Sequence, residues 1–223
     1  MDKQEVLRRV AEVGLVPVVR ASSAEEAMQV VEAIKAGGVP VLEITMTVPR
    51  AVKVIEQLAD RYGSEVVVGA GTVLDPETAR ACILAGAAFV VSPSLNVATV
   101  ELCRRYSVAV MPGALTPTEV VTAWQAGADV VKVFPCGALG GAKYLKSLKA
   151  PLPQVEMIPT GGVSLKTAAE FIEAGALALG VGADLVDTKA IRAGDAGKVT
   201  EAARAYVAAV RAARAGGASS AQA

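Results

Sequence analysis

The chain has 223 residues, 53% of them hydrophobic, and its 22 basic and 22 acidic side chains balance to zero. No apolar run reaches the roughly 20 residues of a membrane span and no basic patch is evident, so neither a bilayer nor a nucleic acid is an expected partner. There is no histidine, which removes the commonest transition-metal ligand and the commonest general base, so no zinc mechanism is expected.

The start, Met1-Asp2-Lys3-Gln4-Glu5, is charged and passes into an amphipathic pattern. It predicts a helix over about Lys3–Val13, not a secretory leader. The first strand is expected at Leu15–Arg20. An arginine at that end either grips a carboxylate with its planar fork or caps a neighbouring helix. From there one pattern recurs: a helical stretch, an Ala-Gly pair, then a strand. It occurs at Ala36-Gly37 before Val39–Thr45, Ala85-Gly86 before Ala88–Ser92, Ala126-Gly127 before Val130–Phe134, and Ala174-Gly175 before Leu177–Val181. Glycine after the last helical residue predicts a left-handed cap. Further strands are expected between these, at Val66–Gly69, Val108–Pro112 and Glu156–Thr160. Eight strand–helix units in one domain, residues 1–215, predict an α/β fold: a (β/α)8 TIM barrel with an extra N-terminal helix. An open doubly wound sheet is the alternative. A last helix is expected at about Ala196–Ala213, and the small, polar residues 216–223 are expected to fray as a flexible tail.

Two charges lie where buried strands should have none. Lys132 sits in Val130-Val131-Lys132-Val133-Phe134 and Glu43 in Val41-Leu42-Glu43-Ile44. Burial disfavours a lysine's ammonium form and frees the amine to attack a carbonyl; the plainer reading is a strand-edge lysine reaching for solvent. Glu43 shares a strand face with Val41 and Thr45. If both charges face the barrel interior, they form either a structural ion pair or an amine with a carboxylate that moves protons for it. Gly161-Gly162 and Gly180-Val181-Gly182 follow strands seven and eight, the usual phosphate position on such barrels; the alternative is a pair of tight turns. The three cysteines, Cys82, Cys103 and Cys136, form no C-x-x-C and fit a reducing, cytoplasmic compartment. Cys136 reads as a small residue lining the site, not as a nucleophile, because no basic partner is evident.

Taken together, Val16-Pro17-Val18-Val19-Arg20, Leu42-Glu43-Ile44-Thr45, Val68-Gly69-Ala70-Gly71-Thr72-Val73-Leu74, Ser92-Pro93-Ser94, Met111-Pro112-Gly113, Lys132-Val133-Phe134-Pro135 and Pro159-Thr160-Gly161-Gly162-Val163 resemble the 2-keto-3-deoxy-6-phosphogluconate (KDPG) / 4-hydroxy-2-oxoglutarate (KHG) aldolase family. They span roughly residues 15 to 187. The resemblance implies a class I aldolase that needs no metal or other cofactor, acts on a small 2-keto-4-hydroxy acid and assembles as a homotrimer. It implies Lys132 as the imine-forming lysine and Glu43 as the proton relay. Thr72, Pro93 and Phe134 would line the pyruvate pocket, and Gly161, Gly162 and Gly182 would contact the rest of the substrate. The carboxylate-binding arginine varies in this family; where some members have it just after L-E-V-T-L, this chain has Met46, so Arg20 is the better candidate. Many members carry a phosphate-binding serine where this chain has Ala183, which gives weight to the unphosphorylated substrate. A phosphosugar isomerase or epimerase, and a barrel that binds a sugar phosphate without turnover, are the alternatives; neither needs Lys132 as a nucleophile.

Overall fold

The computed structural model describes the backbone of residues 1–220 and side chains through Gly216. Helix α1 (Lys3–Val13) starts on Asp2, whose carboxylate accepts from the Glu5 N–H at 2.8 Å, and stops at Gly14 with φ +67. Then follow β1 (Leu15–Val19), α2 (Ala24–Ala36), β2 (Val41–Thr45), α3 (Ala51–Tyr62), β3 (Val67–Gly71), α4 (Pro76–Leu84) and β4 (Phe89–Val91). The chain continues through α5 (Val97–Arg105), β5 (Ala109–Met111), β6 (Gly113–Ala114), α6 (Pro117–Ala126) and β7 (Val131–Val133). It ends with α7 (Ala142–Lys149), β8 (Met157–Pro159), α8 (Ala168–Glu173), β9 (Leu179–Val181), α9 (Thr188–Arg192) and α10 (Ala196–Ser220). A single 3-10 turn, Cys136–Leu139, separates β7 from α7.

This is an α/β fold whose paired strands are all parallel. One sheet has the order β5-β4-β3-β2-β1-β9 and another the order β6-β7-β8, with a bridge between Thr160 and Gly180 linking the end of β8 to β9. The strand expected at Val108–Pro112 divides at Pro112 into β5 and β6. Proline has no N–H to give to a ladder; its carbonyl still accepts from the Lys132 N–H at 2.9 Å. The paired segments are shorter than the apolar runs suggest, so Arg20, Ser92, Phe134 and Thr160 lie just past the strand ends.

Because both faces of a parallel sheet are covered, its residues divide into two apolar layers. One unites Val16, Val41, Val67, Phe89, Met111, Val130, Ile158 and Ala178 with Val6 and Val10 of α1. The other lies between strands and outer helices and includes Leu42, Ile44, Val68, Val90, Val131 and Leu179. Residues adjacent in sequence, such as Val41 and Leu42, thus serve opposite faces. The first layer is tight at Gly69, where an added Cβ would come within 2.3 Å of the Phe89 ring. Gly69→Ala is expected to destabilise the fold by about 1–3 kcal/mol, the usual cost of overpacking. A denaturant melt reads this; an unchanged midpoint would show that Phe89 moves aside freely.

Three of the four Ala-Gly glycines are left-handed, Gly86, Gly127 and Gly175 having φ of 93, 94 and 94. Gly37 is not. It has φ −79, and Gly38 takes the left-handed role with φ 87. Gly37 is needed for a close approach instead, since a Cβ there would lie 2.4 Å from that of Ala203 on α10. The last helix runs on past Ala213 to Ser220; the rest of the expected tail, residues 221–223, lies outside the described residues. Arg214 of α10 donates to the Glu12 carbonyl at 3.0 Å and the Leu177 carbonyl at 2.8 Å. It thereby joins both terminal helices at the strand-start end of the sheet.

Candidate active site

Glu43 sits in the middle of β2, in register with Val18 on β1 and Gly69 on β3. Lys132 sits in the middle of β7, in register with Gly113 and Ile158. Both side chains face the inner layer. Lys132 is 5% exposed and Glu43 2%, and Lys132 Nζ stands 3.8 Å from Glu43 Oε1. Gly71 makes room for this carboxylate, because a Cβ there would lie 2.7 Å from Glu43 Cδ. Lys132 Nζ is also 5.5 Å from the centre of the Phe134 ring.

The geometry weighs against a purely structural pair. A buried ion pair offsets its desolvation only with short contacts and every lone pair satisfied. Even the partly exposed Lys3 and Asp129 make such a short contact: Nζ and Oδ1 are 2.8 Å apart, and the other Asp129 oxygen accepts from the Val110 N–H at 3.0 Å. Lys132 and Glu43 do not. Their separation exceeds hydrogen-bond length, and Glu43 Oε1 is buried with no hydrogen-bond partner. Such an atom has unmet capacity to accept a proton donor. It lies beside an amine in an apolar chamber formed by Val16, Val18, Val91, Met111 and Ile158, together with Thr160 and Gly180.

Next to that chamber, and sharing Val18, Thr160 and Gly180 with it, is a cavity of about 190 Å³. Arg20, Phe134, Gly161, Gly162, Gly182, Ala183 and Asp184 line it. The expected binding residues Arg20, Phe134, Gly161, Gly162 and Gly182 thus meet here, next to Lys132 and Glu43. Two do not: Thr72 and Pro93 follow β3 and β4 and line neither space. Pro93 packs against Gly113, where a Cβ would lie 2.2 Å from its carbonyl carbon. Thr72 holds a left-handed φ of 61, an outlier for a β-branched residue and a kind of strain that clusters at functional sites.

Neighbouring contacts brace the loop that carries Arg20. Thr45 Oγ1 donates to the Val19 carbonyl at 3.1 Å and pairs with Thr47 Oγ1 at 2.7 Å. The buried Glu26 accepts from the Ser22 N–H at 2.6 Å, and Arg192 of α9 stands 3.3 Å from its other oxygen. Met46 packs instead into the outer layer, 3.7 Å from Cys82 Sγ. Cys136 does not line either space, contrary to expectation. It is fully buried, donates to the Gly141 carbonyl at 3.4 Å, and burial pushes its thiol up to about 11, so it carries no thiolate at neutral pH. Thr160, Asp184 and Glu26 were not singled out as site residues. Thr160 and Asp184 gave the signal of a hydroxyl or carboxylate just past a strand, and Glu26 that of a carboxylate in the first turn of α2. Among the described residues, no group of three or more Cys, Asp or Glu side chains is placed to hold a metal ion, and no helix is long and apolar enough to cross a membrane.

The family model described as KDPG and KHG aldolase matches residues 6–202. The chain belongs to the KDPG and KHG aldolase family. Among members, the 2-dehydro-3-deoxy-6-phosphogalactonate aldolase of Escherichia coli K12 is 36% identical over 77% of this chain and 83% of its own. The KHG/KDPG aldolase of the same organism is 34% identical over 85% of this chain and 89% of its own. A KDPG aldolase from Legionella pneumophila, solved with pyruvate captured at low pH as a covalent carbinolamine intermediate, superposes with a TM-score of 0.84 at 30% identity, covering 90% of this chain and 97% of that one.

Proposed function

We propose that this KDPG/KHG-family member is a class I aldolase, a lyase that cleaves a 2-keto-4-hydroxy acid into pyruvate and an aldehyde. The observation that carries the reading is the buried Lys132 amine 3.8 Å from a buried carboxylate oxygen that has no partner. The Lys132 amine, unprotonated, adds to the C2 carbonyl and water leaves, giving a protonated imine. Glu43 takes the C4 hydroxyl proton, directly or through water. The C3–C4 electron pair then moves into the imine, giving an enamine and releasing the aldehyde. Glu43 returns a proton to C3, and water frees pyruvate from the lysine. KDPG would yield glyceraldehyde 3-phosphate and KHG would yield glyoxylate. Arg20 holds the keto-acid carboxylate, Phe134 covers the imine, and Gly161, Gly162 and Gly182 let the remainder of the substrate approach the backbone. Thr72 and Pro93, which follow β3 and β4, are assigned to the pyruvate end on the family resemblance alone. Borohydride reduction in the presence of pyruvate tests the reading: an aldolase gains one stable lysine adduct, whereas an isomerase or a passive sugar-phosphate binder gains none.

The same reading includes a closed (β/α)8 barrel with α1 covering its strand-start end. Counted along the pairing order, β2 and β7 are four strands apart, about 19 Å in a flat sheet at the usual ~4.8 Å spacing. Glu43 and Lys132 approach across the interior all the same, which supports a sheet curled round on itself, with β5 and β6 as one strand interrupted at Pro112. A homotrimer is the expected assembly, and the exposed Leu74, Leu84 and Trp124 offer apolar surface for it; sedimentation equilibrium gives the subunit number.

Ala183 bears on the choice of substrate. A serine there would add one donor to the glycine rim. Ala183→Ser is expected to lower KM for the phosphorylated substrate by about tenfold, or ~1.4 kcal/mol, and to leave that for KHG nearly unchanged. Equal effects on both would mean that position 183 does not touch phosphate.

A further inference from the structure

The charge arrangement of the 190 Å³ cavity reaches further than Ala183. Its lining holds two ionisable side chains, Arg20 and Asp184. If Arg20 is committed to the keto-acid carboxylate, the one ionisable side chain left in the lining is that of Asp184. Asp184 is fixed there. Its Oδ2 accepts from the Leu165 N–H at 3.1 Å and from the Tyr206 hydroxyl. Tyr206 is 1% exposed, and burial, reinforced by its bond to Asp184, raises its pKa far above neutrality, so it stays a donor. Oδ1 accepts from no protein donor among the described residues, and Asp184 is exposed where it lines the cavity. Beside it, the backbone N–H groups of Gly162, Ala183 and Asp184 donate to no protein acceptor among the described residues.

Free N–H groups alone would suit a phosphate. Free N–H groups with a fixed carboxylate suit a hydroxyl, which both accepts and donates, and they set a like charge against a dianion.

We propose that Asp184 selects the distal end of the substrate: it accepts a hydrogen bond from a hydroxyl of an uncharged polyhydroxy tail and disfavours a phosphate in the same place. The preferred substrate class is therefore an unphosphorylated 2-keto-3-deoxy sugar acid. The proposal rests on the aldolase reading above.

The test compares kcat/KM for cleavage of 2-keto-3-deoxygluconate and its 6-phosphate by the wild-type protein, Asp184→Ser, Asp184→Asn and Tyr206→Phe. The wild type should prefer the unphosphorylated acid. Asp184→Ser should raise kcat/KM for the phosphate ester and lower it for the free acid, each on the order of tenfold, the scale of one charged hydrogen bond gained or lost. Asp184→Asn keeps the shape and an acceptor oxygen; it should raise the first with a smaller loss in the second. Tyr206→Phe leaves the charge and should move both substrates together. A wild-type preference for the phosphate ester, or a fall of both substrates in parallel in the two Asp184 variants, would overturn the proposal and leave Asp184 as a brace for Tyr206. Pyruvate trapping by borohydride runs alongside. Pyruvate has no tail, so trapping should persist in every variant; failure to trap in the wild type would overturn the aldolase reading, and the substrate proposal with it.

Discussion

Lys132→Ala should abolish borohydride-trapped pyruvate and lower kcat by about 10⁴-fold or more, the scale seen when a covalent nucleophile is removed. Lys132→Arg should do the same, because a guanidinium stays protonated and cannot add to a carbonyl. Intact-mass measurement after reduction reads the adduct directly. An adduct that persists in Lys132→Ala would place the imine on another lysine. Removing the amine also takes away the polar group 3.8 Å from the buried Glu43 carboxylate, which is expected to lower stability. Activity must therefore be read at a temperature where circular dichroism shows the variant folded. If the pair were only structural, that stability loss would be the whole effect, and trapping would survive it.

The second large effect is expected at Glu43. Glu43→Gln preserves the shape that Gly71 accommodates while removing the basic oxygen. It should lower kcat by about 10²–10⁴-fold, the usual contribution of a general acid–base group, and still form some imine with pyruvate. Trapping that continues while turnover falls separates proton transfer from imine formation. A variant with near-normal kcat and a lowered melting temperature would assign Glu43 to structural support.

Much of this was legible in the chain because the strands are short and apolar, so charges within them stand out. Lys132 and Glu43 are conspicuous for that reason, and alternation along β2 already puts Glu43 on the face of Val41. The order of strands and helices followed from the Ala-Gly punctuation. That signal carried less detail than it promised: Gly37 is glycine because α10 passes close by, a contact more than 160 positions away in sequence. The split at Pro112 was written in the chain but hidden within an apolar run. Asp184 and Glu26 escaped notice because a carboxylate at a loop or helix start is ordinarily solvated, and only the fold brings Tyr206 to the first and Arg192 to the second. The left-handed backbone at Thr72 is set by the turn out of β3 and leaves no mark in residue type.

The Arg214 contacts fix where the chain can be attached to something else. Glu12 and Leu177, whose carbonyls this guanidinium holds, both precede strands, whereas Arg20, Gly161 and Gly182 all follow them. α1 enters and α10 leaves on the face away from the cavity. A surface linker or a fused partner joined at either terminus would therefore stand on the strand-start side of the sheet, leaving the substrate's approach open. An insertion between β9 and α9, by contrast, would stand directly in that approach.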